Sequence, residues 1–238
     1  LGADRFTRYK KKVGEPAQLV LADVAARTRV EQLAAAVTGA RALVNTPAED
    51  LGPEQLSAFV AEIALRQNAN FREIVGDDLL AQNFPAIHAV GRASHRPPRL
   101  LELNWQCPAA DADSPLLVLI GKGVCFDTGG LDMKASDGMA LMKKDMATRS
   151  GQTVEIGNTD AEGRVVLCDA LSYAIEAKPA LIMDFATLTG AARVALGPDL
   201  PATFCHDDAL VHALIQAGTL VQDPLWRMPL WADYQRLI

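Results

Sequence analysis

The stretch PLLVLIGKG, residues 115–123, together with ALIMDFATLTGA, residues 180–191, decides the fold of this chain. Each begins with a short apolar run that predicts a buried strand, and each continues into polar, Gly-containing sequence. Between them, VVLCDALSYAIEA (165–177) repeats its apolar residues at helical spacing. This alternation predicts an α/β fold with a central, mostly parallel mixed sheet sandwiched by helices. Ligands of such folds bind beyond the carboxyl ends of the strands, where the polar sequences lie.

The sequence upstream of residue 115 adds two helices and more strands to this prediction. Apolar residues recur at helical spacing from Arg29 to Val44 and again from Pro53 to Arg66. Short apolar runs separated by Pro, Gly and polar clusters predict three further strands, FREIVG (71–76), AIHAVGRA (86–93) and RLLELNW (99–105).

Composition limits the classes of function. Half of the 238 residues are apolar, which suits one large domain with a full core. The formal net charge of −6 disfavours nucleic acid as a partner. No run approaches the roughly 20 apolar residues that span a bilayer, and the opening LGADRFTRYKKK has charges where a secretory signal would be apolar. We therefore expect a cytoplasmic protein without a membrane partner.

Two segments concentrate charge beside apolar sequence. Residues 121–146 follow a predicted buried strand, yet they contain four aspartates and four lysines. In residues 150–164, Asp160, Glu162 and Arg164 occupy alternate positions, which an extended backbone would point to one side. Ionised groups are costly to bury without partners, so these patterns favour a metal or anion site. Each motif alone is also compatible with a turn or a solvated loop.

Four motifs in order resemble the leucyl (cytosol) aminopeptidase family: GKGVCFDTGGLDMK (121–134), MKKDM (142–146), NTDAEGR (158–164) and FATLTGA (185–191). Weaker matches flank them, namely LVNTPAEDLGPEQL (43–56), VGRAS (90–94) and DPLWRMPLW (223–231). The resemblance implies a catalytic α/β domain that follows a smaller N-terminal domain. Residues 1–27 are then expected to be the remnant of that domain and the linker, and residues 28–238 the catalytic domain.

The resemblance also implies the site residues. Two divalent metal ions are expected to be ligated by Lys122, Asp127, Asp145, Asp160 and Glu162. Oxygen and neutral amine ligands suit zinc, manganese, cobalt or magnesium, and zinc or manganese is expected here. The implied catalytic residues are Lys134 and Arg164, with bicarbonate held by Arg164 as the general base. The implied substrate-binding residues are Met142, Thr187, Leu188 and Gly190.

The implied function is release of N-terminal, preferably apolar residues from peptides by a metal-activated water. By resemblance the protein is a homo-oligomer, a hexamer. The four histidines, His88, His95, His206 and His212, lie outside the motifs, so a structural or solvated role is expected for each.

The sequence departs from the family between Asp145 and Asp160, where it has fourteen residues and family members have a longer segment with another helix and strand. Loss of that crossover would disrupt a parallel sheet. We therefore expect that residues are missing from the sequence near 146–148, and that a C-terminal part of the catalytic domain is missing beyond Ile238.

Two other functions remain open from the sequence. A non-catalytic scaffold or regulatory protein could retain the fold, but retention of all the implied ligands disfavours it. A two-metal phosphoesterase could use the same acidic cluster, but it lacks the His ligands expected of that class, and ATLTGA (186–191) favours a peptide.

Overall fold

A computed structural model describes residues 9, 20, 23–126, 146–147, 153–154 and 161–237. Its helices are α1 (Val24–Asn45), α2 (Pro53–Gln67), α3 (Asp78–Ala81), α4 (Pro85–Gly91), α5 (Glu162–Glu176), α6 (Ala191–Leu196), α7 (Asp208–Val221) and a 3₁₀ helix (Ala232–Leu237). Its strands are β1 (Asn70–Val75), β2 (Arg99–Asn104), β3 (Leu117–Gly121), β4 (Met146–Ala147), β5 (Thr153–Val154), β6 (Leu181–Phe185), β7 (Ala202–Thr203) and β8 (Trp226–Arg227).

The strands pair in both directions. In the described part of the chain, β3 pairs with β6 and β7 with β8 in parallel, whereas β1 pairs with β2 and β4 with β5 in antiparallel fashion. The β3–β6 register places Leu117 opposite Leu181 and Gly121 opposite Phe185, so both strands end at the same edge. The protein is therefore an α/β protein with mixed strand pairing, as the sequence predicts.

Helix α5 packs on one face of the β3–β6 pair. Ile120 of β3 is buried against Leu167 and Ala174 of α5, and half-buried residues of both strands join this core. Side chains alternate along a strand, so the strand residues between those that face α5 point to the opposite face of the pair. On that face Leu117, Leu119 and Phe185 are exposed. Within the described ranges, α5 thus covers one face of this pair.

A second core lies between α4, α5 and the β1–β2 pair. Ile74, Leu79, Phe84 and Ile87 are buried together, and Tyr173 of α5 packs against them. The ring of Tyr173 meets that of Phe84 edge-on, with centroids 5.4 Å apart. Because α5 contributes to both cores, it fixes the β3–β6 edge relative to the β1–β2 pair.

The predicted strand AIHAVGRA (86–93) is wrong, because these residues form α4 and its C-terminal turn. Pro85 occupies the first turn of α4, a position that tolerates its missing N–H. The fully buried Asp169 of α5 accepts the N–H groups of Ala86 and Ile87 at 2.8 and 3.0 Å. A short apolar run cannot be assigned to strand or helix by periodicity alone, and this distant cap decides the outcome.

The two predicted N-terminal helices are confirmed as α1 and α2. Asp23 caps α1 by accepting the N–H groups of Ala25 and Ala26. Helix α1 begins ahead of residue 28, where the catalytic domain is expected to start, and that domain division stays a prediction. No described helix is both long and apolar enough to cross a membrane.

Candidate active site

The candidate site lies where β3 and β6 end and α5 begins. Lys122 directly follows β3, and its backbone N–H donates to the Phe185 carbonyl at 3.0 Å, so the parallel ladder continues by one bond. Thr187 follows β6, and Glu162 is the first residue of α5. Three segments far apart in sequence therefore meet at one edge of the sheet.

The side chain of Lys122 connects these segments. Its Nζ donates to the Thr187 carbonyl at 2.8 Å and lies 3.0 Å from Glu162 Oε1. The two charged side chains are 9% and 19% exposed, so both are largely removed from water. A nearly buried amine is thus held between a carbonyl and a carboxylate.

Gly163, the second residue of α5, lies next to this amine. A Cβ atom added to Gly163 would be 2.7 Å from Lys122 Cε, 2.9 Å from Lys122 Nζ and 2.9 Å from Leu188 Cδ2. The sequence motifs gave no role to this residue. The available signal is a glycine in the first turn of a helix, where its backbone freedom lowers helix stability relative to alanine.

The sequence predicts an extended backbone from Asp160 to Arg164, and this prediction is wrong from Glu162 onward. Helix α5 begins at Glu162, so Glu162 and Arg164 both lie in its first turn. Residues two apart in a helix point to different sides, because each step rotates by about 100°. Accordingly, Glu162 faces Lys122 while the side chain of Arg164 is exposed.

The remaining predicted site residues divide into two groups. Five lie outside the described residues: Asp127, Lys134, Met142, Asp145 and Asp160. The other group follows β6, where Thr187, Leu188 and Gly190 are exposed. The Gly190 carbonyl accepts the N–H of Val194 at 3.0 Å as α6 begins. The structure thus brings together Lys122, Glu162, Thr187 and Leu188.

The donors present suit a divalent metal ion in their chemistry. Lys122 offers a nitrogen and Glu162 a hard oxygen, and both face the same small volume. Over the described ranges, no three His, Cys, Asp or Glu side chains form a group that could hold a metal ion. Three of the four predicted carboxylate ligands lie outside those ranges. Lys122 and Glu162 therefore fit as part of a larger ligand set.

Cys125 lies three residues after Lys122, and its thiol is another group of the kind that can bind a metal ion. Burial raises the pKa of its thiol above the ordinary value of 9.0, and the charge of Arg96 opposes this only in part. Its Sγ is 3.5 Å from the Gly123 carbonyl. Burial therefore favours the neutral thiol, and we assign Cys125 no role in the site.

Comparison with known proteins gives a consistent set of relatives. Peptidase B of Klebsiella pneumoniae is 38% identical over 262 residues, covering 90% of this chain and 61% of the relative. The cytosol aminopeptidase of Coxiella burnetii has a solved structure that matches with a TM-score of 0.83 and 43% identity, covering 97% of this chain and 59% of that one. Leucyl aminopeptidase from Trypanosoma brucei, solved in complex with actinonin, matches with a TM-score of 0.73 and 26% identity. This match covers 86% of this chain and 49% of the Trypanosoma brucei chain.

The chain thus spans less than two thirds of the length of these relatives. The Klebsiella alignment, at 262 residues, is longer than the chain itself, so that relative has residues with no counterpart here. A model of the cytosol aminopeptidase family, catalytic domain, matches residues 38–148 and 146–238. The two segments meet at the predicted join near 146–148. Because the family model accounts for most of the sequence, the chain belongs to the cytosol aminopeptidase family.

Proposed function

We propose that this chain is the catalytic portion of a metal-dependent aminopeptidase that releases apolar, leucine-like residues from the N-termini of peptides. Family membership supports the reaction class. The observation that carries the proposal is the nearly buried Lys122 amine, 3.0 Å from Glu162 at the carboxyl edge of β3 and β6. That edge is where ligands of α/β folds bind.

The proposed metal site has five ligands and two divalent ions, zinc or manganese. Lys122 and Glu162 contribute a nitrogen and an oxygen, and the remaining ligands are Asp127, Asp145 and Asp160. Two such ions would polarise the peptide carbonyl and supply an acidified water. The amine and the carboxylate lie 3.0 Å apart, so both could reach an ion placed between them and the three aspartates.

The other polar residues have separate proposed roles. The Thr187 carbonyl, 2.8 Å from Lys122 Nζ, fixes the direction of that amine. Lys134 would donate to the oxygen on which negative charge develops. The exposed side chain of Arg164 suits binding of a small anion from solvent, which we propose to be bicarbonate acting as the general base.

The segment after β6 is the proposed peptide-binding edge. Leu188 and Gly190 would hydrogen-bond the substrate backbone, the latter through its N–H because its carbonyl accepts from Val194. Met142, Thr187 and Gly190 would line the pocket for the N-terminal side chain, and a flexible methionine suits varied apolar groups. Since the free amine of the substrate would bind at the metal site, a blocked N-terminus should prevent cleavage.

The proposed context follows the family resemblance. We propose a cytoplasmic enzyme that acts on peptides and assembles as a homohexamer, with neither membrane nor nucleic acid as a partner. The acidic net charge of −6 supports the last point.

Hydrolysis of leucine p-nitroanilide tests the function. The protein is dialysed against a chelator, and zinc or manganese is then restored separately. We expect turnover only after metal is restored, no turnover of the N-acetylated substrate, and inhibition by actinonin, which the Trypanosoma brucei relative binds. If the metal-loaded protein turns over no aminoacyl substrate, it is a scaffold that retains the fold. Release of nitrophenol from p-nitrophenyl phosphate instead would identify a phosphoesterase.

A further inference from the structure

Gly163 has no conformational reason to be glycine. It lies in the first turn of α5, and its backbone φ is outside the left-handed region that favours glycine. Alanine forms helices more readily than glycine, so the backbone alone would favour alanine here. The reason for glycine must therefore lie in what surrounds the missing Cβ.

Among the described residues, the nearest neighbours of that position are the ends of two side chains. Lys122 Cε and Nζ and Leu188 Cδ2 all lie within 3 Å of the position that a Cβ would take. Carbon atoms in contact are normally about 3.5–4.0 Å apart, so a methyl group at residue 163 would displace one or both of these side chains. Both ends can rotate away without moving the backbone. The conflict would therefore be resolved by movement of the amine, with little change to the fold.

Movement of the amine would break the contacts that define the site. Lys122 Nζ contacts the Thr187 carbonyl at 2.8 Å and Glu162 at 3.0 Å while its chain crosses the first turn of α5 at Gly163. A displacement of about 1 Å takes a hydrogen bond beyond its useful range. It would also remove a metal ligand from its position, since metal–nitrogen distances tolerate only about 0.2 Å.

We propose that Gly163 is a positioning residue, whose lack of a side chain lets the Lys122 amine lie across α5 at the distance from Glu162 that metal binding needs. This inference rests on the proposed function insofar as the amine is a metal ligand. The contacts of the amine with Thr187 and Glu162 are the geometry from which the inference starts.

The test is Gly163→Ala in the full chain, with two measurements. Calorimetric titration of the metal-free protein with zinc should show an affinity lower by about 10- to 100-fold, as expected when the support of a ligand is lost. The melting temperature of the metal-free variant should equal or exceed that of the natural protein, because alanine favours the helix. A residue with a merely structural role would lower the melting temperature and leave the affinity unchanged.

Two other glycines provide matched controls. Gly121→Ala lies next to Lys122, but its Cβ would meet no described residue within 4 Å, so zinc affinity should not change. Gly218→Ala in α7 would place its Cβ 2.6 Å from the Asp223 carbonyl oxygen, which is backbone and cannot rotate away. This variant should melt at a lower temperature and keep the zinc affinity of its folded fraction.

A double variant separates the two neighbours of Gly163. Gly163→Ala with Leu188→Ala removes the conflict with Leu188 and keeps the conflict with Lys122. We expect zinc affinity to stay low in the double variant. Full recovery would mean that Leu188, not the amine, required the space, and the proposal would be overturned.

Crystal structures of the metal-free natural protein and of Gly163→Ala distinguish this proposal from the function on which it rests. In the variant, Lys122 Nζ should leave both Thr187 and Glu162. If this occurs although the natural protein binds no zinc, the positioning role stands and the metallo-aminopeptidase proposal fails. If the amine stays in place in the variant, the positioning role is refuted whether or not zinc binds.

Discussion

Glu162 and Asp169 are two acids on the same helix, seven positions apart, with opposite surroundings. Asp169 is completely buried and accepts two backbone N–H groups of α4 at 2.8 and 3.0 Å. Glu162 keeps 19% of its side chain exposed and pairs with the amine of Lys122. One acid joins two helices, and the other faces the edge where β3 and β6 end.

The difference shows that the partner of a buried acid says more about the role of that acid than its degree of burial does. Backbone N–H groups need an acceptor in any folded state, so Asp169 is explained by the stability of α4. A largely buried amine–carboxylate pair adds little stability compared with apolar residues of the same size. The Lys122–Glu162 pair is therefore better explained by chemistry than by stability.

Loss of the Asp169 carboxylate should have the largest effect on folding. Asp169→Ala leaves the N–H groups of Ala86 and Ile87 buried without this acceptor, at about 1–3 kcal/mol each. We expect the free energy of unfolding in urea to fall by roughly 2–6 kcal/mol. Asp169→Asn keeps the shape and one acceptor oxygen, and it should lose less. Equal stability of Asp169→Ala and the natural protein would remove the distinction between the two acids.

Replacement of both members of the site pair should have the reverse effect. Lys122→Met with Glu162→Leu should reduce kcat/KM for leucine p-nitroanilide by about 100-fold or more, comparable to loss of a key electrostatic group. The free energy of unfolding should stay equal or rise by about 1–4 kcal/mol. A large loss of stability would assign this pair to folding instead.

The control for that variant is an ion pair on the surface. Glu62 and Arg66 of α2 pair at helical spacing, with side chains 55% and 61% exposed. Glu62→Leu with Arg66→Met should leave kcat/KM unchanged and alter stability by less than about 1 kcal/mol.

Acid should weaken the hydrogen-bond network of Glu102, Tyr173 and Arg72 by a smaller amount. Burial alone would raise the pKa of Glu102, but hydrogen bonds from Asn104, Tyr173 and Arg72 and the charge of Arg72 hold it below its ordinary value of 4.5. A lowered pKa in the folded state contributes stability above pH 4.5 that is lost as pH falls through the lowered value.

Glu102→Gln tests that contribution. Unfolding free energies measured from pH 6 down to pH 3 should decline less steeply in the variant, by less than about 1 kcal/mol over the range, because the Arg72 partner is half exposed. Tyr173→Phe should keep the ring contact with Phe84 and lose part of the same pH dependence. Identical pH profiles of all three proteins would contradict a stabilising role for this network.

The elements whose apolar residues form a clear run or recur at a regular spacing could be predicted from the sequence. Strands β3 and β6 and helix α5 are confirmed near their predicted bounds, since their apolar runs are bounded by Pro, Gly or polar residues. Helix α4 could not be predicted, because the acceptor that caps it, Asp169, is more than eighty residues away in sequence.

The sequence predicted which residues form the candidate site better than it predicted how those residues are arranged. The family resemblance named both Lys122 and Glu162, and the structure brings their side chains together; their binding of metal stays a prediction. The start of α5 at Glu162 was not predictable, because Ala161 provides no side-chain cap. Gly163 was missed because the reason for a glycine is the space it leaves, and that space exists only after the segments containing Lys122 and Leu188 have folded onto α5.

The most direct test of the central claim is anomalous X-ray diffraction at the zinc edge from crystals grown with zinc. The account predicts an anomalous peak about 2.0–2.2 Å from both Lys122 Nζ and a carboxylate oxygen of Glu162, with the amine no longer donating to that carboxylate. A map with no peak at this edge, and with Lys122 Nζ still 3.0 Å from Glu162 Oε1, would contradict it.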